Sequence, residues 1–515
     1  MWDSLLCLFP SLLLFLVAVL LHWSPVRVLL ERSLRWATWI LWRAACWVLE
    51  LPTPMRGERN DGLSDADNAQ PRLVCKPTAL AHHLLLHCHT LRRPLLAAWP
   101  QGDPHLQTLS SLLWPVEDTA GGKVHFTRDH LLLSDGGIVA LDWAVGLKEE
   151  PLLGAKCEQH PGACRGVGCR SSPPILLFIP NCLGVVTPHL QRLCSLALHQ
   201  GFYPVVFHRR GQGSCPLTTP RFQEFGDPQD LVQAVAYLRS RHPNTTLLAV
   251  SEGSGSGLLL SYLGECGSSS YLTAAACISP VLHGQLWFEM QLPSLYHWGA
   301  LFYRKLQISR YANALSSLMD VGQLLGCRSL RGVEERMFCG TTKSATGEDR
   351  GPAEAAQDWE AYWERNEPLR DADEVAVPVL CLSSADDPLV PPASSLPTSL
   401  FRNSPYFLLA LTTSGGHCGF AQAGKSTTSW SHEAVLEYFR VVSDFLKREE
   451  RRKRSRAQGQ EVGRQAQGSR PGNVAARERR RKAVLAVRRE RHLTHQPAQS
   501  ELTEDLFNWN RSYTR

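Results

Sequence analysis

The apolar positions of this chain fall into three regimes. From Leu5 to Leu21 they are almost continuous over 17 residues. That length is the lower limit for a membrane span and also fits a signal-peptide core. Asp3 is the one charged residue before this run, and Arg27, Arg32, Arg35 and Arg43 follow it. An uncleaved anchor at residues 1–23 would therefore leave the bulk of the chain facing the cytosol. Secretion after signal cleavage is the alternative. In residues 24–51 Trp36, Trp39, Trp42 and Trp47 recur close to one helical face. Tryptophan favours the membrane–water interface, so this stretch reads as an interfacial helix. Residues 52–72 are polar and read as a linker.

The second regime runs from residue 73 to 446. Its signature is a series of short, unbroken apolar runs: Ile175–Ile179, Pro204–Phe207, Leu247–Val250, Ala274–Ile278 and Val377–Leu382. Segments of helical period, such as Leu190–Leu198 and Asp230–Leu238, separate the early ones. Buried runs alternating with helices predict a mostly parallel sheet with helices on both faces. Two apolar runs around Asp135-Gly136-Gly137 predict a β-hairpin. Residues 147–174, with Cys157, Cys164 and Cys169, read as an inserted loop without zinc-ligand spacing. Between residues 282 and 364 the alternation gives way to aromatic-rich helical period, which predicts a helical cap insertion.

The third regime, residues 447–515, is basic. Residues 447–491 hold 17 Lys/Arg against 5 Asp/Glu, so a whole-chain charge of +6 leaves the remainder at −6. The body therefore offers no nucleic-acid groove. The tail reads as solvated and without fixed structure, suited to anionic lipid or to a protein partner. Sixteen cysteines in 515 residues are too few for a disulfide scaffold.

The candidate chemistry begins where the Leu247–Val250 run meets Ser251-Glu252-Gly253 and a helical stretch at Leu258–Leu263. Strand, sharp turn and helix form a nucleophile elbow. Small residues flank the serine at Ala249 and Gly253. On that fold the acid and histidine follow in chain order. Val379–Leu382 leads into Asp386-Asp387-Pro388, and Gly415-Gly416-His417 places an imidazole in a glycine-flanked loop. The expected triad is Ser251 as nucleophile, His417 as base and Asp387 as its orienting acid, with Asp386 able to exchange roles with Asp387. The expected oxyanion donors are the N–H groups of Glu252 and Cys182, with Asn181 the alternative to Cys182. No metal or diffusible cofactor is required.

These pieces resemble the abhydrolase domain-containing group of α/β-hydrolases over roughly residues 100–445. The resemblance rests on His105-Leu106-Gln107-Thr108, Asp135-Gly136-Gly137, Leu141-Asp142-Trp143 and His208-Arg209-Arg210-Gly211. The Ser251 elbow, Asp386-Asp387 and Gly415–Phe420 complete it. It implies an α/β-hydrolase fold behind an N-terminal anchor, membrane attachment (taken as the endoplasmic reticulum), lipid-ester substrates and a place in lipid metabolism. Three departures stand out: Ala249 in place of a glycine, a turn lengthened by two residues at Gly253–Gly257, and Pro180-Asn181 where Pro-Gly is common. A carboxylate at Glu252 beside the nucleophile would oppose an oxyanion if aimed inward. The rival expectation is therefore a catalytically weak or silent hydrolase fold that acts as a regulatory binding partner.

Overall fold

The computed structural model describes residues 24–52, 71–113, 124–145, 173–339, 352–424 and 429–468. The chain divides into two compact units, Met1–Asp61 with Gln291–Ala300, and Gly62–Met290 with Leu301–Arg515. The first is built on helix α1 (Ser24–Val48), which exposes Trp36, Ile40, Leu41 and Trp47. The expected anchor at residues 1–23 lies outside the described residues. So do most of the linker, the cysteine-bearing loop and the tail beyond Gly468. No helix among the described residues is long and apolar enough to cross a membrane.

The second unit holds a sheet of order β1-β9-β8-β7-β6-β4-β5-β3-β2. The strands are β1 (Arg72–Val74), β2 (His125–Leu132), β3 (Ile138–Val145), β4 (Ile175–Ile179), β5 (Tyr203–His208), β6 (Leu247–Glu252), β7 (Leu272–Ile278), β8 (Val379–Ser384) and β9 (Phe407–Thr412). From β5 to β9 every neighbouring pair is parallel. The antiparallel pairs are β1 with β9, β2 with β3 and β3 with β5. The hairpin expected around Asp135-Gly136-Gly137 joins β2 to β3.

The helices used below are α2 (Ala79–His87), α3 (Pro104–Leu113), α4 (Pro188–His199), α5 (Gln229–Arg241), α6 (Ser256–Cys266), α7 (Ser294–Arg310), α8 (Leu330–Phe338), α9 (Pro352–Asn366) and α10 (Trp430–Gly468). The unbroken apolar runs are strands because both faces are covered. On one face Leu176 and Phe178 of β4 pack with Leu190 of α4, Leu80 of α2 and Phe439 of α10. On the other, Ile175, Leu177 and Ile179 meet Leu231 of α5 and Leu259 of α6. Each such burial is worth about 1.5–3 kcal/mol relative to exposure.

Between β7 and β8 the described chain is helical, with a small core around Leu301, Ile308 and Met337. One expectation is corrected. Helix α10 continues past Lys447 to Gly468, so the start of the basic tail is helical. Glu449 and Glu450 stand four residues before Lys453 and Arg454, a spacing that supports a helix.

β5 and β6 lie on opposite sides of β4. The carboxyl ends of β4 and β6 thus frame the point where strand order reverses. That is where α/β sheets take their ligands.

Candidate active site

The structure brings Asp387 and His417 together. β8 ends at Ser384, and the next turn carries Asp386 and Asp387. Asp387 accepts from His417 Nδ1, which lies 3.1 and 3.0 Å from its two oxygens. The Leu389 N–H donates to the same carboxylate at 2.9 Å. Asp386 has a different task. It accepts the Gly416 N–H at 2.9 Å and is bonded by the Ser384 hydroxyl. Asp387 is therefore the histidine's partner, and Asp386 ties β8 to the histidine loop. Burial raises the Asp386 carboxyl above its usual range, against those two bonds.

The His417 loop is shaped by close packing against α3. Gly416 has φ +54, and a Cβ there would stand 2.5 Å from the Pro104 carbonyl. The His417 N–H donates to Thr108 Oγ1 at 2.9 Å, and Ser111 Oγ donates to the His417 carbonyl at 2.9 Å. The Ala421 N–H donates to Gln107 Oε1 at 2.9 Å. The His105–Thr108 motif carries no task that the sequence alone assigns. Here it buttresses the base. Only the pairing itself, across some three hundred positions, could reveal that.

The expected nucleophile is elsewhere. β6 does not end at Val250; it runs through Ser251 and Glu252, with Ser251 opposite Ile179 of β4 and Cys277 of β7. Ser251 is 0% exposed, and its hydroxyl has no hydrogen-bond partner among the described residues. It is not bonded to His417. The strand turns instead at Gly253, which has φ +52. A Cβ on Gly253 would lie 2.8 Å from His417 Nε2. Two residues on, a Cβ on Gly255 would lie 2.2 Å from the Pro180 carbonyl. That is the close backbone approach that demands a glycine two places after a nucleophile. The elbow therefore reads Ser251-Glu252-Gly253-Ser254-Gly255, with glycine where the reacting residue belongs.

The oxyanion assignments change with it. Glu252 is the last residue of β6, so the N–H following the elbow residue belongs to Ser254. The Cys182 N–H does stand at the end of β4, but it donates to Ser254 Oγ at 3.0 Å. Asn181 shapes the loop, its side chain accepting from the Leu183 N–H at 3.2 Å. Glu252 faces away from the elbow, onto the α4 side of the sheet. Thr187 Oγ1 lies 2.8 Å from both its oxygens and His189 Nδ1 lies 3.0 Å from one. Thr187 also caps α4 by accepting the Leu190 N–H.

No family model matches the chain. It is 45% identical over 474 residues to Protein ABHD15 of Homo sapiens, a match covering 89% of this chain and 90% of that one. The chain belongs to the abhydrolase domain-containing family. It is also 25% identical to Phospholipase ABHD3 of Mus musculus, over 68% of this chain and 79% of the relative. Monoacylglycerol lipase ABHD2 of Danio rerio is 23% identical over 73% and 86%.

This abhydrolase chain thus brings together Asp387, His417 and the Cys182 N–H and leaves Ser251 and Glu252 outside the reacting cluster. The signal for the true elbow was the extra length at Gly253–Gly257. A turn that must hold φ > 0 at one residue and touch backbone two residues later fits Gly253 and Gly255, not Ser251 and Gly253.

Proposed function

We propose that this chain handles acyl esters of lipids without forming a serine acyl-enzyme. The lipid class is suggested by relatives named phospholipase and monoacylglycerol lipase. The absence of the covalent step rests on one observation: the elbow residue facing His417 Nε2 is Gly253. A glycine supplies no hydroxyl for the base to activate. Ser254 Oγ already accepts the Cys182 N–H that would receive an oxyanion. These features support a hydrolase-fold protein that binds lipid esters and acts in lipid metabolism through binding. The exposed tryptophans of α1 support attachment at a membrane interface.

A second reading is favoured by the intact Asp387–His417 pair. A base held at 3.0 Å from its acid can activate water in place of serine, giving slow ester hydrolysis. Purified protein incubated with a monoacylglycerol separates the two. Saturable binding without fatty-acid release is the expected result. Release abolished in His417→Ala would establish the water route. Release abolished in Ser251→Ala with the fold intact would overturn the proposal.

A further inference from the structure

Two consecutive arginines follow β5, and their surroundings differ. Arg210 is saturated. It bonds Asp230 at 2.8 and 2.6 Å and Asp135 at 2.7 Å. Arg209 is as deeply buried, at 5% exposed, but no carboxylate reaches it among the described residues. Its guanidinium donates to the carbonyls of Glu224 and Phe225, at 3.3–3.4 Å.

A second buried cation stands nearby. Arg304 of α7 is 8% exposed. It lies over the Phe222 ring at 5.1 Å and donates to Gln307 Oε1 at 3.3 Å. Among the described residues its carboxylate neighbour is Glu334, 3.7 Å away, which receives the Tyr362 hydroxyl at 2.7 Å. Burial, together with Arg304, pulls Arg209 below its usual value, with Cys182 and Glu334 opposing. Burial raises Glu334, against Arg304.

This cluster sits against the loop at the end of β4. Gln307 Nε2 donates to the Leu183 carbonyl at 2.5 Å. Both arginines act on the Cys182 thiol. Burying a guanidinium without a close carboxylate is costly; among the described residues Arg209 has none within ion-pair distance, and Arg304 has Glu334 at 3.7 Å.

We infer that Arg209 and Arg304 form an anion-binding subsite beside the Cys182 loop, and that it takes a phosphate group. This rests on the lipid-ester reading and deepens it: the favoured ligand is an acyl lipid with a phosphomonoester headgroup. Guanidinium pairs match phosphate oxygens bidentately. Glu334 sets the subsite's net charge.

The test is titration of the full-length protein with oleoyl lysophosphatidate, the neutral oleoyl monoacylglycerol, and inorganic phosphate. Wild type should prefer lysophosphatidate over the monoacylglycerol by about tenfold or more. Arg304→Gln should reduce that preference about tenfold and leave monoacylglycerol binding unchanged. Glu334→Gln should move it the other way, so the prediction does not depend on one variant folding. Inorganic phosphate that displaces the lipid only weakly makes the headgroup the ligand; phosphate that binds as tightly as the lipid makes the free ion the ligand of the same subsite. Equal binding of both lipids, unmoved by either variant, would overturn the subsite and leave the lipid-ester reading intact. Binding of neither lipid would overturn both.

Discussion

A Cβ built on Gly253 stands 2.8 Å from His417 Nε2. The base and its acid are therefore aimed at an elbow residue that has no side chain. Asp387 holds His417 from behind, α3 holds the loop from below, and Gly255 lets the turn pass the Pro180 carbonyl. What the geometry lacks is the hydroxyl.

The Asp387–His417 pair predicts a pH signature. Burial alone would lower the His417 imidazole, but the Asp387 charge, aided by Cys418, outweighs it and holds the ring well above the ordinary histidine value. A raised histidine stabilises the fold fully below its unfolded pKa of about 6.5. That contribution is lost as pH rises through the raised folded value. Asp387→Asn should cost about 1.5–3 kcal/mol at pH 6, with the deficit shrinking at higher pH. Urea melts of both proteins from pH 6 to 9 check this, and a deficit that grows with pH would refute it.

Glu252 predicts a stability effect. Its bonds to Thr187 and His189 are charge-assisted and buried, each worth about 1.5–3 kcal/mol. Glu252→Ala should lower the denaturation midpoint substantially. Glu252→Gln, which keeps an acceptor for Thr187, should lower it less. Equal losses in the two variants would mean that the acceptor that glutamine keeps does not serve Thr187.

The close approach at Gly255 predicts intolerance of a methyl group. Gly255→Ala should cost about 3 kcal/mol, the upper end of overpacking, because a carbonyl cannot swing aside as a side-chain tip can. Gly299→Ala, within α7 and with nothing inside 4 Å of the added Cβ, should instead stabilise by about 0.5–1 kcal/mol. Thermal melts of both variants decide the matter.

The fold was legible because its strands announce themselves. Ile175–Ile179 is both the apolar run in the sequence and strand β4 in the structure. β6 shows where that logic stops. Its last two residues are polar, so the apolar run ends at Val250. Glu252 can remain in a buried strand because Thr187 and His189, more than sixty positions earlier, satisfy its carboxylate. No local pattern carries that information. The same holds for the base: Gly415-Gly416-His417 stood out by composition, but its supports Thr108 and Ser111 lie three hundred positions away. Asp386 and Asp387 were adjacent and chemically alike, and only the partners of each distinguish the pair.

The most direct measurement is fluorophosphonate labelling of the purified full-length wild type, Ser251→Ala and Gly253→Ser. A serine at 253 would carry backbone strain of about 1–3 kcal/mol and require His417 Nε2 to give way slightly. It would then stand on the dyad with the geometry of an activated nucleophile. The expected result is an unlabelled wild type, an unlabelled Ser251→Ala, and a Gly253→Ser that labels and loses labelling when His417→Ala is added. Labelling of the wild type that disappears in folded Ser251→Ala would contradict the assignment of Gly253 to the elbow.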